Sequence, residues 1–269
     1  MSKIYQNKNN DININNNVIF KTPFYDGSKT TLIDQYVSRV IKIDGEKIDS
    51  PELIFTPNPE QVMLAQTDAR FAAALEEANI LLPDGVGIVI ASKLLAMVGK
   101  GKALSGRVTG IDVMSEIIQT LPEVKKVVIG GKTAPGKASH SANLEILGQH
   151  LPWLSGYQDV AHPTIEEQTA VEQFLAKEKP AIVFVAFGAP YQEYWSIRHK
   201  TLLAKHGVKV VLVVGGAVDV LTGKLQRAPQ LFQSLHLEWL YRLVQEPWRW
   251  RRQLSLVRFI KLTLTELIT

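Results

Sequence analysis

The chain contains no cysteine. A disulfide framework, a thiolate nucleophile and a cysteine-ligated metal are therefore excluded, and a reducing compartment fits the composition. No stretch reaches the roughly 18 uncharged apolar residues that a bilayer-spanning helix requires. The nearest, residues 80–95, is broken by Pro83 and Asp84. The N-terminus, MSKIYQNKNNDININNN, lacks the apolar core and small-residue cleavage site of a secretory signal, so a cytoplasmic location is expected. Three catalytic signatures are also missing. There is no Asp-x-Asp to grip a nucleotide-bound divalent metal, no Gly-x-x-x-x-Gly-Lys-Ser/Thr phosphate loop and no Gly-x-Ser-x-Gly elbow. The six histidines are scattered without metal-ligand spacing, so each reads as structural or exposed and no metal site is expected.

What remains is ordinary for a folded α/β protein. The 269 residues are 46% hydrophobic and 21% charged, enough for one large domain or two small ones. The net charge is +4, and it is unevenly placed. Residues 237–269 hold Arg242, Arg249, Arg251, Arg252, Arg258 and Lys261 against three glutamates, which is most of the excess. A basic tail on a near-neutral body points to an anionic partner.

The asparagine-rich residues 1–30 read as a flexible arm. Residues 31–48 suggest a short helix and then a hairpin turning at Asp44-Gly45. Further on, short apolar strands alternate with helices. Strands are expected at Glu52–Phe55, 80–82, 124–129, 154–157, 180–187 (PAIVFVAF) and 208–214. Helices are expected from Pro59 through Leu75, over 88–97, from Gly131 to about His150, and over 166–177. Continuous β-branched runs separated by helices indicate a largely parallel, Rossmann-like sheet flanked by helices. Residues 31–236 are thus expected to form the body and 237–269 a helical appendage. In that appendage Trp250, Leu254, Val257, Ile260, Leu264 and Ile268 fall on one helical arc beside basic residues, the composition of an interfacial membrane helix.

In parallel sheets ligands bind beyond the carboxyl ends of the strands, and the unusual motifs fall there. TPNPE (56–60) sets Thr56 and Asn58 before a helix N-terminus, where free amides favour an anion; a plain helix cap is the simpler reading. LPDGVG (82–87) holds Asp84 in a glycine turn, where a carboxylate can be a general base or only a cap. In GRVTGID (106–112), Arg107 can grip a phosphate or carboxylate, or lie on the surface before a helix capped by Thr109 or Asp112. Gly130-Gly131 ends another strand. GAPYQE (188–193) directs Gln192 and Glu193 toward the crevice. GGAVDVLTGKLQRAP (215–229) supplies Gly215, Gly216, Asp219 and Arg227, without the spacing of a dinucleotide fingerprint.

Taken in series, with LEWLYRLVQEPWR at 237–249, these motifs resemble the WecG/TagA/CpsF bacterial glycosyltransferases from about Asp44 to Ile260. The resemblance implies an inverting, metal-independent transfer of a sugar from a UDP-sugar. The acceptor would be a polyprenyl-diphosphate-linked sugar at the inner face of the plasma membrane, for teichoic acid or another surface polysaccharide. It implies Asp84 as base, Thr56, Asn58 and Gln192 near acceptor or sugar, and Arg107 as a further contact. Arg227, Arg242 and Arg249 are the cations that lie in family motifs and can neutralise a departing diphosphate. No cofactor is implied. Tyr191, where many relatives have lysine, and residues 153–162 depart from the pattern, so the donor sugar stays open between N-acetylmannosamine and a related hexose. Self-association would mask the apolar tail, so a homo-oligomer is a further expectation. Two other readings compete. A nicotinamide-dependent oxidoreductase needs a phosphate-binding fingerprint that is missing. A basic nucleic-acid- or membrane-binding module leaves the strand-end motifs unexplained, and nucleic acid is not expected as a partner.

Overall fold

The computed structural model describes residues 16–42, 49–131, 141–234, 237–247 and 250–269. The chain opens with a hairpin, β1 (Asn16–Ile19) and β2 (Thr22–Tyr25), then helical stretches α1 (Lys29–Thr31), a π-helical turn (Leu32–Val37) and α2 (Ser38–Lys42). Next come β3 (Glu52–Phe55), α3 (Pro59–Thr67), α4 (Ala69–Glu76), β4 (Ile80–Leu81), α5 (Val86–Met97) and α6 (Gly110–Thr120). The middle holds β5 (Lys126–Gly130), β6 (Ser141–Ile146), β7 (Gln149–Leu154), α7 (Ile165–Glu178), β8 (Ile182–Ala186), α8 (Tyr191–Arg198), α9 (Lys200–Lys205) and β9 (Val210–Val213). The chain closes with α10 (Ala217–Leu221), α11 (Gln230–Ser234), α12 (Glu238–Gln245) and α13 (Trp250–Ile268).

Seven strands form one sheet in the order β4-β3-β9-β8-β5-β7-β6. All neighbours are parallel except β6, which pairs antiparallel with β7 at the edge. The apolar runs of the central strands are continuous because both faces are covered. Leu53, Phe55, Val183, Val185, Val211 and Val213 face a layer containing Phe71, Leu75, Val171 and Trp195. The alternate residues Ile54, Phe184, Val210 and Leu212 face Leu32, Val37, Val113 and Ile117. Each fully buried side chain of this kind contributes about 1.5–3 kcal/mol.

Four expectations need correction or narrowing. The arm expected over residues 1–30 does not reach residue 30. Its described part is the β1–β2 hairpin and the start of α1, with Ile19 and Phe24 buried in the core. The helix expected over 59–75 is two helices. Asp68 takes an extended conformation between them, and its carboxylate accepts from the amides of Arg70 and Phe71 to cap α4. The helix expected after Gly131 up to His150 is, from Ser141 on, the β6–β7 hairpin, and this also shifts the next strand from 154–157 to Gln149–Leu154. Leu147 and Gly148 both have positive φ (52° and 75°), the conformation of a two-residue hairpin turn. Ile146, Leu151 and Trp153 bury themselves under the sheet layer. The Asp44-Gly45 turn lies outside the described residues.

Among the described residues no helix is long and apolar enough to cross a membrane. The helix α13 packs on α3 and α5 through buried Phe259, whose ring meets Phe20 edge-on at 5.4 Å. The arc Trp250, Leu254, Val257, Ile260, Leu264 and Ile268 points outward and is exposed.

Candidate active site

The carboxyl ends of β4, β3, β9, β8 and β5 lie side by side along one edge of the sheet, the crevice edge expected for a parallel sheet, and most of the candidate side chains lie there. Thr56, directly after β3, is buried, and its hydroxyl donates to the Val213 carbonyl at the end of β9 over 3.2 Å. That bond locks two strand ends together. Asn58 is the N-cap of α3: its side chain accepts from Gln61 N, while the Gln61 carboxamide accepts from Asn58 N. The capping-box role of Asn58 is thus realised.

Asp84 follows β4. Its amide donates to the Pro57 carbonyl at 3.2 Å, and its Oδ2 accepts from Gly110 N, at the start of α6, at 3.4 Å. Burial pushes its carboxyl up to about 6, and Asp112 and Glu238 add to the shift, while the Gly110 amide and the Arg107 guanidinium oppose it. A carboxylate with that poise can take a proton near neutral pH.

Arg107 lies beside Asp84 and ion-pairs with Glu238 in the first turn of α12. This contact fastens the C-terminal segment over the crevice. Asp112 is held by the Thr109 hydroxyl at 2.7 Å and the Arg227 guanidinium at 2.7 Å. Burial pushes the Asp112 carboxyl up, but Thr109, Arg227 and Arg107 outweigh it and hold it below the usual range. The segment carrying Arg227 is also tied to α12: Gln226 and Gln245 exchange two hydrogen bonds, and the Tyr241 hydroxyl reaches Gln226 at 3.2 Å.

Beyond β9, Gly215 and Gly216 lead into α10. A Cβ at Gly216 would collide with the Arg242 guanidinium, so glycine is what lets that cation lie against the backbone. Arg242 also bonds buried Glu246 at 3.1 Å. Asp219 is buried in α10, and among the described residues its Oδ1 has no hydrogen-bond partner. Gly130 packs so closely on the Ala186 backbone that a Cβ there would meet the Ala186 carbonyl carbon at 2.8 Å. Gly131 N continues the pairing to the Ala186 carbonyl at 2.8 Å. These two glycines set the spacing of β5 and β8 at the crevice floor.

Gln192 and Glu193 start α8, after the cis Ala189–Pro190 peptide. Both are buried. Gln192 Oε1 accepts from Gly188 N at 3.2 Å and would lie 3.8 Å from a Cβ on Gly215. Glu193 is fully enclosed; its Oε1 accepts from both Gln192 and Gln61 at 2.9 Å, and its Oε2 has no hydrogen-bond partner among the described residues. Arg249 lies outside the described residues. Among the described residues no three His, Asp or Glu side chains are grouped to hold a metal ion.

Sequence reasoning missed Gln61 and Glu238. Gln61 was visible in principle as the fourth residue of a capping box beginning at Asn58. Nothing in the local sequence around Glu238 signals a partner 131 residues away.

A carboxyl raised by burial, with Arg107 beside it at the carboxyl ends of a parallel sheet, is the kind of group found in the active sites of α/β enzymes. Comparison supplies the family. A sequence model of the Glycosyl transferase WecG/TagA/CpsF family matches residues 18–269, and the chain belongs to that family; it is a glycosyltransferase. The match takes in the β1–β2 hairpin from Val18, and so is wider than the motif-bearing span from Asp44 to Ile260. Similar proteins include the N-acetylglucosaminyldiphosphoundecaprenol N-acetyl-beta-D-mannosaminyltransferases of two bacilli. That of Bacillus subtilis (strain 168) is 32% identical over 256 residues, covering 92% of this chain and 91% of the relative. That of Bacillus spizizenii is 32% identical over 243 residues, covering 89% and 84%. A protein of the same name from Staphylococcus aureus (strain MRSA252) is 29% identical over 229 residues, covering 84% of each.

Proposed function

We propose that this protein transfers a sugar, N-acetylmannosamine or a related hexose, from a UDP-sugar to a polyprenyl-diphosphate-linked sugar. The transfer inverts the anomeric centre and needs no metal. The observation that carries the reading is Asp84: half-buried at a strand end, poised at about 6, and held by the Gly110 amide beside Arg107. The similar bacillar and staphylococcal proteins are named for an N-acetylglucosaminyldiphosphoundecaprenol acceptor and an N-acetyl-beta-D-mannosaminyl group, which supports the choice of sugar and acceptor class.

In this mechanism Asp84 takes the proton of the acceptor hydroxyl as its oxygen bonds to the anomeric carbon. The bond from that carbon to the UDP oxygen breaks, and its electron pair leaves with UDP. Arg242 against Gly216 and Arg227 beside Asp112 balance the charge that develops on the diphosphate. Both are already partnered by carboxylates, so they are oriented before substrate arrives, and the diphosphate shares or displaces those partners. Arg249 joins them as a candidate. Gln192, Asn58 and Thr56 line the acceptor and sugar side, and Asp219 the donor side. The body includes the β1–β2 hairpin and runs to residue 236, and residues 237–269 form a membrane-associating appendage. Its outward apolar arc lies on the inner membrane face, beside the lipid-linked acceptor.

The test is transfer from a panel of UDP-sugars to a short-chain lipid-diphosphate-sugar in EDTA, with the anomeric configuration of the product read by NMR. Inverted product in EDTA supports the reading and names the donor. Product only with added divalent metal, or with retained configuration, overturns the mechanism. Failure of UDP to raise the melting temperature overturns the donor class.

A further inference from the structure

The apolar surface of α13 does not stop at the tail. Its neighbour α5 runs alongside it in the same direction. At one end a Cβ on Gly87 would lie 3.8 Å from the Phe259 ring and 4.0 Å from Leu256. At the other, Lys100 Nζ donates to the Glu266 carbonyl over 2.5 Å. On the outer side of α5, Ile90 and Met97 are seven residues apart and therefore share one face. Ile90 is 50% exposed, Met97 82%, and Val98 just beyond the helix 47%. Val98 leads into the glycine-rich turn Gly99-Lys100-Gly101-Lys102, and Gly101 lies against the backbone of β1, where Val18 is also exposed.

Single exposed apolar side chains need no explanation, but a run of them along two packed helices does. The charge around this run is mainly positive, with Glu266 on α13 as an acidic exception. Between Asp84 and Asp112 the chain has no acidic residue, yet it carries Lys93, Lys100, Lys102 and Arg107. The three lysines are exposed, and Arg258 and Lys261 are exposed on α13. Apolar side chains ringed by lysines complement an anionic phospholipid surface, whose headgroups attract the ammonium groups while the acyl boundary takes up the apolar tips.

We infer that the membrane-contacting surface is a two-helix platform, in which the tip of α5, Met97-Val98 with Lys93, Lys100 and Lys102, inserts into an anionic bilayer beside α13. This rests on the membrane reading given above and extends it to a segment far from the tail in sequence. Because α5 begins two residues after Asp84, a tip seated in the bilayer also fixes the height of the base above the membrane.

The experiment is sedimentation of the full chain with vesicles of phosphatidylglycerol and phosphatidylethanolamine. It compares wild type, Met97→Asp/Val98→Asp, Leu264→Asp/Ile268→Asp and the control Ile165→Asp, an 81% exposed apolar residue on α7. Thermal unfolding shows that each variant is folded. The expected result is vesicle binding weakened at least about tenfold by either double substitution and left unchanged by Ile165→Asp. If the α5 variant binds like wild type while the α13 variant does not, the inference fails and the tail-only reading stands. If wild type ignores anionic vesicles, both fail. If the α5 substitutions dissociate a dimer and leave vesicle binding intact, the face belongs to a second copy of the chain and the inference is wrong.

Discussion

Glu193 offers a quantitative test of the packing beneath the active site. It is fully buried, its Oε1 takes two hydrogen bonds from amides, and its Oε2 has none among the described residues. Burial pushes its carboxyl up to about 7 from 4.5, against the opposing pull of Gln192, its own backbone amide and Gln61. The sign follows from linkage. Between the unfolded and folded values the unfolded chain gives up the proton while the folded chain keeps it, so stability falls as pH rises through that window. A shift from 4.5 to about 7 corresponds to about 3 kcal/mol, most of which is lost between about pH 5 and pH 8. Glu193→Gln keeps the shape and the accepting oxygen but cannot ionise. It leaves a buried NH2 in place of Oε2, at a cost of about 1–3 kcal/mol that does not change with pH. The difference in unfolding free energy between variant and wild type, from urea titrations at both pH values, should therefore grow by about 2–3 kcal/mol toward pH 8. Contributions from Asp84 cancel in that difference. A difference independent of pH would refute the reasoning, because it would mean that Glu193 ionises as freely in the folded protein as in the unfolded chain.

Other consequences follow from the same geometry. The pH profile of kcat/KM should rise through about 6, because Asp84 must be ionised to accept a proton and its carboxyl is held near that value; a flat profile from about pH 5 to 8 would exclude it as the titrating base. Arg107→Ala should move that acid limb to higher pH, and Glu238→Gln should move it to lower pH, since the first removes a cation and the second an anion from beside Asp84. Phe259→Ala should cost about 3–5 kcal/mol by emptying the contact with Phe20. It should also expose the α13 segment to limited proteolysis before the sheet unfolds.

Much of the fold was legible because the sheet is covered on both sides. PAIVFVAF and the VVLVV that follows Lys209 are unbroken apolar runs, and each ends at glycine. Asp84, Thr56 and Gly215-Gly216 could be located because proline and glycine punctuate the strand ends. The β6–β7 hairpin was hidden: Leu144, Leu147 and Leu151 also suit helical spacing, and Leu147-Gly148 gives only half of a recognisable turn signal. The break at Asp68 was legible in principle: at about 100° per residue Val62 and Phe71 fall on opposite sides of a single helix, and the aspartate between them is a cap residue. The apolar arc of α13 was readable, but its direction was not. The docking side is carried by Phe259 and Thr263, and only the fold reveals that the more regular arc is left outside. Long-range pairs such as Arg107–Glu238 and Gln61–Glu193 join segments more than a hundred residues apart, and no local pattern encodes them.

The central claim is that Asp84 removes the acceptor proton during sugar transfer. The most direct measurement is single-turnover transfer from the preferred UDP-sugar to a short-chain lipid-diphosphate acceptor by wild type and Asp84→Asn, with UDP affinity measured in parallel. The account predicts a loss of at least about a hundredfold in the transfer rate, with UDP affinity preserved because the arginines that meet the diphosphate are untouched. Transfer by Asp84→Asn within a few-fold of wild type would contradict it, and would send the search for the base elsewhere in the crevice.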